Sequence, residues 1–82
     1  MPFVNVTTIK GLLSPAQKQE LISKLSDVLV AVEGGGNADF RKMVWVTIEE
    51  REPESFGLGD LRPTAASIAQ FVAARDAVAS AA

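Results

Sequence analysis

The first third of the chain changes from a strand-like to a helix-like pattern. Residues 4–9, VNVTTI, are rich in β-branched side chains that alternate with polar ones, which predicts a strand. Ser14, Pro15 and Gln17 then stand where a capping serine, a first-turn proline and a capping-box glutamine predict the start of a helix. One apolar helix face follows, with residues at spacings of four, three and four: Leu21, Leu25, Val28 and Val32. Ile22 and Leu29 lie beside this face. Three glycines at residues 34–36 predict its end.

A second strand is predicted over residues 43–48. Val44, Val46 and Ile48 share one face, and Trp45 lies on the other. A strand, a helix and another strand form a βαβ unit whose strands run parallel. The fold class is therefore α/β, and we expect the helix to cover the valine face while the Trp45 face needs another cover.

The last third predicts a tight turn and a second helix. Phe56 opens the stretch FGLGD, whose two glycines suit a short hairpin. Thr64 can cap a helix with an apolar stripe of Ile68, Phe71, Val72 and Val78. We predict a single domain over residues 1–82, with a core at 2–61 and a C-terminal helical extension at 62–82.

Composition favours self-association. Of the 82 residues 48% are apolar, which is more than a chain of this size can hide alone. We expect a homo-oligomer of two to six chains, and the alternative is a loosely packed monomer. The net charge of −2 comes from eight basic and ten acidic residues without a basic stripe, so we expect neither nucleic acid nor membrane as a partner.

The absence of cysteine and histidine excludes disulfides, thiolate chemistry and imidazole metal sites. An all-carboxylate metal site is the remaining alternative, but the sequence shows no ligand spacing such as that of an EF-hand loop, so we expect no metal and no cofactor. The start shows no basic flank and apolar run of a signal peptide, and no stretch approaches the ~18 apolar residues of a membrane span, so we expect a cytoplasmic protein.

Pro2 is the candidate for chemistry, because a chain without histidine needs another general base. If Met1 is removed, the ring nitrogen of Pro2 becomes a secondary amine. An apolar setting supplied by Phe3, Trp45 and Phe56 would lower the pKa of that amine and leave it neutral near pH 7, where a general base works best. The other interpretation is purely structural, since the first position of a strand tolerates proline.

Four stretches together resemble the tautomerase superfamily, typified by 4-oxalocrotonate tautomerase: MPFVNVTTIKG, SPAQKQELISKLSDVLV, MVWVTIEE and SFGLGD. The resemblance covers about residues 2–61. It implies that Pro2 is the catalytic proline that moves a proton in an enol or dienol acid, and that Phe56 lines the pocket. It also implies a small carboxylated substrate and an assembly, commonly a trimer of dimers, whose active sites draw residues from neighbouring subunits.

The chain departs from the family at two arginines that hold the substrate carboxylates. Their positions fall at Leu12 or Leu13 and at Trp45. The candidates to replace these arginines are four cations, and Asp39 is a candidate acid: Lys10, Arg41, Lys42 and Arg62. The other interpretation of each is an ordinary surface charge or loop residue. Trp45 either fills a subunit interface or walls a pocket. The predicted site has Pro2 as catalytic residue and four substrate-binding residues: Phe56, Trp45, Lys10 and Arg41.

Three functions fit these residues. The first is a tautomerase in which Pro2 acts as general base and then as acid. The second is a hydratase, dehalogenase or decarboxylase relative that uses cationic Pro2 with Asp39, Glu52 or Glu54. The third is a non-catalytic oligomerising α/β module, which the missing arginines favour.

Overall fold

The computed structural model describes residues 2–81, with side chains described as far as Val78. The elements, in chain order, are strand β1 (Phe3–Ile9), helix α1 (Pro15–Val32), a 3₁₀ helix (Ala38–Met43), strand β2 (Trp45–Arg51), a short 3₁₀ helix (Pro53–Ser55) and helix α2 (Ala65–Ala81). The strands β1 and β2 form a two-stranded sheet. No helix in residues 2–81 is both long and apolar enough to cross a membrane.

Hydrogen bonds at the two ends of the sheet define its register. The Trp45 N–H donates to the Pro2 carbonyl at 3.0 Å, and the Lys10 N–H donates to the Arg51 carbonyl at 2.8 Å. In a parallel ladder these bonds place each residue of β1 beside the residue 42 positions later, the separation of the hydrogen-bonded side chains of Asn5 and Thr47. The predicted α/β fold with parallel strands is confirmed.

The second strand begins and ends later than predicted. The expected range was residues 43–48, whereas β2 spans Trp45–Arg51. The 3₁₀ helix continues to Met43, and the Val44 N–H closes it by donating to the Arg41 carbonyl at 3.3 Å. The charged end of β2 stays in the sheet because its backbone still pairs with β1.

Contacts divide the chain into two compact units, of which the first contains residues 2–7 and 13–49. In this unit Val4, Val6, Val46 and Ile48 are half-buried, whereas the intervening side chains of both strands are exposed. The alternation confirms the two predicted faces of β2. Helix α1 is the large element of this unit that can shield the valine face.

Helix α1 begins as predicted but turns a different side inward. The Gln17 N–H donates to Ser14 Oγ at 3.2 Å, and the Ser14 N–H donates to Gln17 Oε1 at 2.8 Å, which completes the capping box. The shielded side centres on four half-buried residues and one buried one: Leu21, Ile22, Leu25, Leu29 and Ser26. Val28 and Val32 are 57% and 75% exposed, so their assignment to the packed face is wrong.

Ser26 explains the error. A serine appears polar in the sequence pattern, but its hydroxyl donates to the Ile22 carbonyl at 2.8 Å and is satisfied within the helix. It can therefore occupy the buried side, which rotates the packed face away from Val28 and Val32.

Arg41 binds the first 3₁₀ helix to α1. Its Nη1 donates to Asp27 Oδ1 at 2.5 Å, and its Nη2 donates to the Ser23 carbonyl at 3.2 Å. Phe40 packs against Gly34 so closely that a Cβ atom at Gly34 would lie 2.7 Å from the ring. These contacts fix the segment that leads into β2.

The second unit contains residues 8–12 and 50–81. The predicted hairpin is a two-residue turn in which Leu58 and Leu61 exchange both backbone hydrogen bonds at 3.0 Å. Gly59 sits in the turn with a φ of 62°, a conformation that favours glycine. The division into a core and a C-terminal extension stays a prediction.

Helix α2 also begins as predicted, with a different packed side. The Ser67 N–H donates to Thr64 Oγ1 at 3.1 Å, and the Thr64 N–H donates to Ser67 Oγ at 2.9 Å. The half-buried stripe consists of Ile68, Val72 and Arg75. Nη1 of Arg75 donates to the Leu12 carbonyl at 2.8 Å. Two residues expected in this stripe are instead exposed, Phe71 at 57% and Val78 at 72%. Arg75 takes the inner position because a long apolar stem can lie on the helix while its head reaches a carbonyl.

Pro53 and Ser26 are the buried residues of the described chain, and no described Val, Leu, Ile, Met, Phe or Trp side chain is buried. The exposed large apolar side chains include two on β1 and β2 and three around the turn and α2: Phe3, Trp45, Leu58, Leu61 and Phe71. One copy of the chain therefore leaves much of its apolar surface in water.

We expect Arg41→Gln to lower the free energy of unfolding by about 1 kcal/mol, because it removes a charged hydrogen bond and a bond to a helix carbonyl. Urea unfolding followed by circular dichroism measures the change. Lys42→Gln is the matched control, since its ion pair with Asp39 is 3.8 Å long and its side chain is 83% exposed. Equal stability of the two variants would contradict a structural role for Arg41.

Candidate functional site

Pro2 stands immediately before β1 and is half-buried. Its carbonyl accepts the Trp45 N–H at 3.0 Å, which fastens the residue to the neighbouring strand. This bond involves the carbonyl oxygen of Pro2 and not its ring nitrogen. The removal of Met1, on which a free amine depends, lies outside the described residues.

An aromatic pair lies beside the start of the sheet. The rings of Phe3 and Trp45 are tilted by 47° with their centroids 6.4 Å apart, in the range of favourable aromatic contacts. Phe3 is 61% exposed and Trp45 is 55% exposed. Neither ring is covered in a single copy of the chain. Both interpretations of Trp45, as the wall of a pocket and as part of a subunit interface, are therefore compatible with the structure.

The predicted cations have partners within the chain. Arg41 is bonded to α1, as described above. Lys10, in the second unit, places Nζ 3.3 Å from Glu52 Oε1, and both side chains are about two-thirds exposed at 65% and 64%. Such exposed pairs are weak, so Lys10 can exchange its partner at little cost. Substrate binding by Arg41 and Lys10 stays a prediction.

Phe56 lies in the second unit, on a cleft of about 350 Å³ that we call the turn–helix cleft. Seven apolar side chains line it, from the end of β1, the turn region and α2: Ile9, Phe56, Leu58, Leu61, Pro63, Ile68 and Phe71. Arg62 is the cation on its wall. Phe56 and Arg62 were separate candidates in the sequence analysis, whereas the contribution of α2 to the cleft is visible only in the folded chain.

The backbone of the turn orients the Arg62 guanidinium. Its Nη1 donates to the Gly59 carbonyl and, at 3.1 Å, to the Leu61 carbonyl. A Cβ atom at Gly57 would lie 3.2 Å from Nη1 and 3.4 Å from Cζ. The absence of a side chain at Gly57 thus gives the guanidinium its room.

A second concavity, of about 310 Å³, lies along the first turns of α1. Lys24 Nζ donates to Glu20 Oε1 there at 2.8 Å. This bond lowers the pKa of the Glu20 carboxyl and raises the pKa of the Lys24 ammonium. The two charges neutralise each other, which makes this groove a poor site for a charged ligand. Within residues 2–81, no three acidic side chains come close enough to hold a metal ion.

The predicted site residues are divided between the two units. Pro2, Trp45 and Arg41 belong to the first, where one backbone bond joins Pro2 to Trp45. Lys10 and Phe56 belong to the second. Their joint action on one substrate stays a prediction.

Comparison with known proteins identifies the family. The tautomerase enzyme family matches residues 2–66. A search of curated proteins returned no match.

Three solved structures share the fold. DmpI from Helicobacter pylori is 30% identical with a TM-score of 0.60, over 74% of this chain and 94% of its own. SAR1376 from methicillin-resistant Staphylococcus aureus, a candidate 4-oxalocrotonate tautomerase, is 31% identical with a TM-score of 0.58, over 74% and 90%. YwhB, a homologue of 4-oxalocrotonate tautomerase, is 23% identical with a TM-score of 0.61, over 74% and 92%, and shows the fold alone. Since the family match spans more than half of the chain, this protein belongs to the tautomerase family.

Proposed function

We propose that the protein is a tautomerase that uses the amino-terminal amine of Pro2 to catalyse keto–enol proton transfer on a small enol or carbonyl acid. The observation that carries this proposal is the family match, which begins at Pro2 itself and continues through both strands. The absence of histidine agrees with it, because the usual side chain for proton transfer is missing from the sequence.

The proposed reaction needs one group that first accepts and then donates a proton. After removal of Met1, the neutral amine of Pro2 takes the proton of the enol hydroxyl. The enolate electrons then re-form the carbonyl, and the protonated amine returns the proton to carbon. The charge on the enzyme is the same before and after the cycle.

The partial burial of Pro2 supports a neutral amine. Pro2 is half-buried at the end of the sheet where its carbonyl accepts the Trp45 N–H. Apolar surroundings destabilise an ammonium ion, so they lower the pKa of an amine toward the range in which it acts as a base.

A non-catalytic module is the second candidate. Leu12 or Leu13 and Trp45 stand where the family resemblance implies arginines. Arg41, a candidate replacement, is already bonded to Asp27 and Ser23. The proline-dependent reaction distinguishes this candidate from the enzyme.

The proposal includes an assembly of two to six copies. The exposed rings of Phe3 and Trp45 and the absence of a buried large apolar side chain among the described residues support it, because apolar surface left in water favours association. A second copy on the Trp45 face would cover the open side of the sheet. A cytoplasmic location stays a prediction.

We expect Pro2→Ala to slow the ketonisation of phenylenolpyruvate about a hundredfold or more, within the range of a general acid–base contribution, because a flexible primary amine replaces the rigid ring amine. Intact mass of the purified protein must first show the loss of one methionine. The rate is followed by the ultraviolet absorbance of the enol. Pro15→Ala is the matched control, since Pro15 begins α1 and should leave the rate unchanged. Retained methionine, or equal rates for the unaltered chain and Pro2→Ala, would favour the non-catalytic module.

We expect Trp45→Lys to reduce the molar mass in solution, because a charge on the open sheet face opposes its burial between copies. Size-exclusion chromatography with light scattering measures the mass at several protein concentrations. Gln19→Lys adds the same charge at an exposed position of α1 and should not change the mass. A monomeric unaltered chain would contradict the assembly.

A further inference from the structure

We infer that the turn–helix cleft binds a small apolar carboxylate, with Arg62 holding the carboxylate group. The cation of this site, Arg62, lies at neither of the two positions where the family resemblance implies an arginine. As a statement about the substrate it rests on the proposed function, whereas as a statement about binding it does not.

The size and walls of the cleft fit the body of such a ligand. Its volume of about 350 Å³ falls within the range of small-molecule sites, which are apolar concavities with a few polar groups. Phe56 and Phe71 present ring surfaces, and Ile9 and Ile68 add aliphatic ones. A flat or branched apolar group would remove this surface from water together with its own.

Arg62 supplies the polar recognition. Both recorded partners of its Nη1 are neutral carbonyl oxygens, those of Gly59 and Leu61, so these bonds orient the guanidinium without neutralising its charge. Its Nε and Nη2 form the other edge of the planar group, the edge that can pair with a carboxylate through two parallel hydrogen bonds.

The turn prepares this arrangement before any ligand arrives. Gly57 leaves space for the guanidinium, and the exchanged hydrogen bonds of Leu58 and Leu61 hold the backbone that orients it. A side chain fixed in advance loses less conformational freedom on binding, which favours affinity. The cleft thus combines an apolar wall with one preoriented cation, the complement of an apolar monocarboxylate.

The test compares 3-phenylpropionate with its uncharged amide, 3-phenylpropanamide, on the unaltered full chain. Calorimetry should show that the acid binds about tenfold more tightly than the amide, as expected for a charge-assisted pair. Nuclear magnetic resonance should place the shifted amides in residues 57–62 and at Ile68. Neither compound has an α-keto group that could undergo keto–enol exchange, so the binding result does not depend on the catalytic role of Pro2.

A pair of variants tests the role of Arg62. Arg62→Gln should weaken binding of the acid about tenfold and leave the amide unchanged, because only the charge-assisted contact is lost. Lys24→Gln removes the same charge at an exposed position of α1 and should change neither affinity. Should Arg62→Gln fail to fold by circular dichroism, the comparison of acid and amide on the unaltered chain decides.

Three outcomes would overturn the inference. The first is equal affinity of the protein for the acid and for 3-phenylpropanamide. The second is a set of shifted backbone amide signals that lies entirely outside the cleft. The third is that the acid does not bind and that Leu58→Asp has a lower molar mass in solution than the unaltered chain. The last would mean that a second copy covers the cleft. A bound acid with an inactive Pro2 would leave this inference intact and overturn the proposed function alone.

Discussion

The parallel pairing of β1 with β2 is the constraint on which the rest of the first unit depends. The bond from the Trp45 N–H to the Pro2 carbonyl fixes the register at its beginning, and the same offset continues to the bond between Lys10 and Arg51. Because successive side chains of a strand point to opposite faces, a slip of one residue would move Trp45 to the shielded face and Val46 to solvent. The backbone bond that joins Pro2 to Trp45 follows from this register.

A two-stranded sheet with one shielded face buries little apolar surface. Its apolar residues reach half-burial on the inner side and stay exposed on the outer one, so the hydrophobic gain per copy is small. Two sets of exposed apolar groups are Phe3 and Trp45 on the Trp45 face of the sheet, and Leu58, Leu61 and Phe71 at the turn–helix cleft. The first is suited to another copy of the chain, whereas the second carries a cation and is suited to a ligand.

Helix starts were predictable because caps are local. Ser14 with Gln17 and Thr64 with Ser67 satisfy backbone donors within four residues, and the sequence shows such sets directly. The packed sides of the helices were not predictable to the same degree. Ser26 and Arg75 occupy inner positions because each finds a carbonyl partner, and a pattern that counts only apolar residues assigns those positions to Val28, Val32, Phe71 and Val78.

The sequence by itself determined the order of elements, the faces of β2, the family and the candidacy of Pro2, because each rests on short-range patterns or on residues at fixed spacings. Only the tertiary structure showed that Arg41 binds α1, that Lys10 meets Glu52, and that α2 joins the turn to form a cleft. Those contacts join residues up to 62 positions apart, such as Ile9 and Phe71 on the cleft. Packing decides which distant side chains meet, and no local pattern records that outcome.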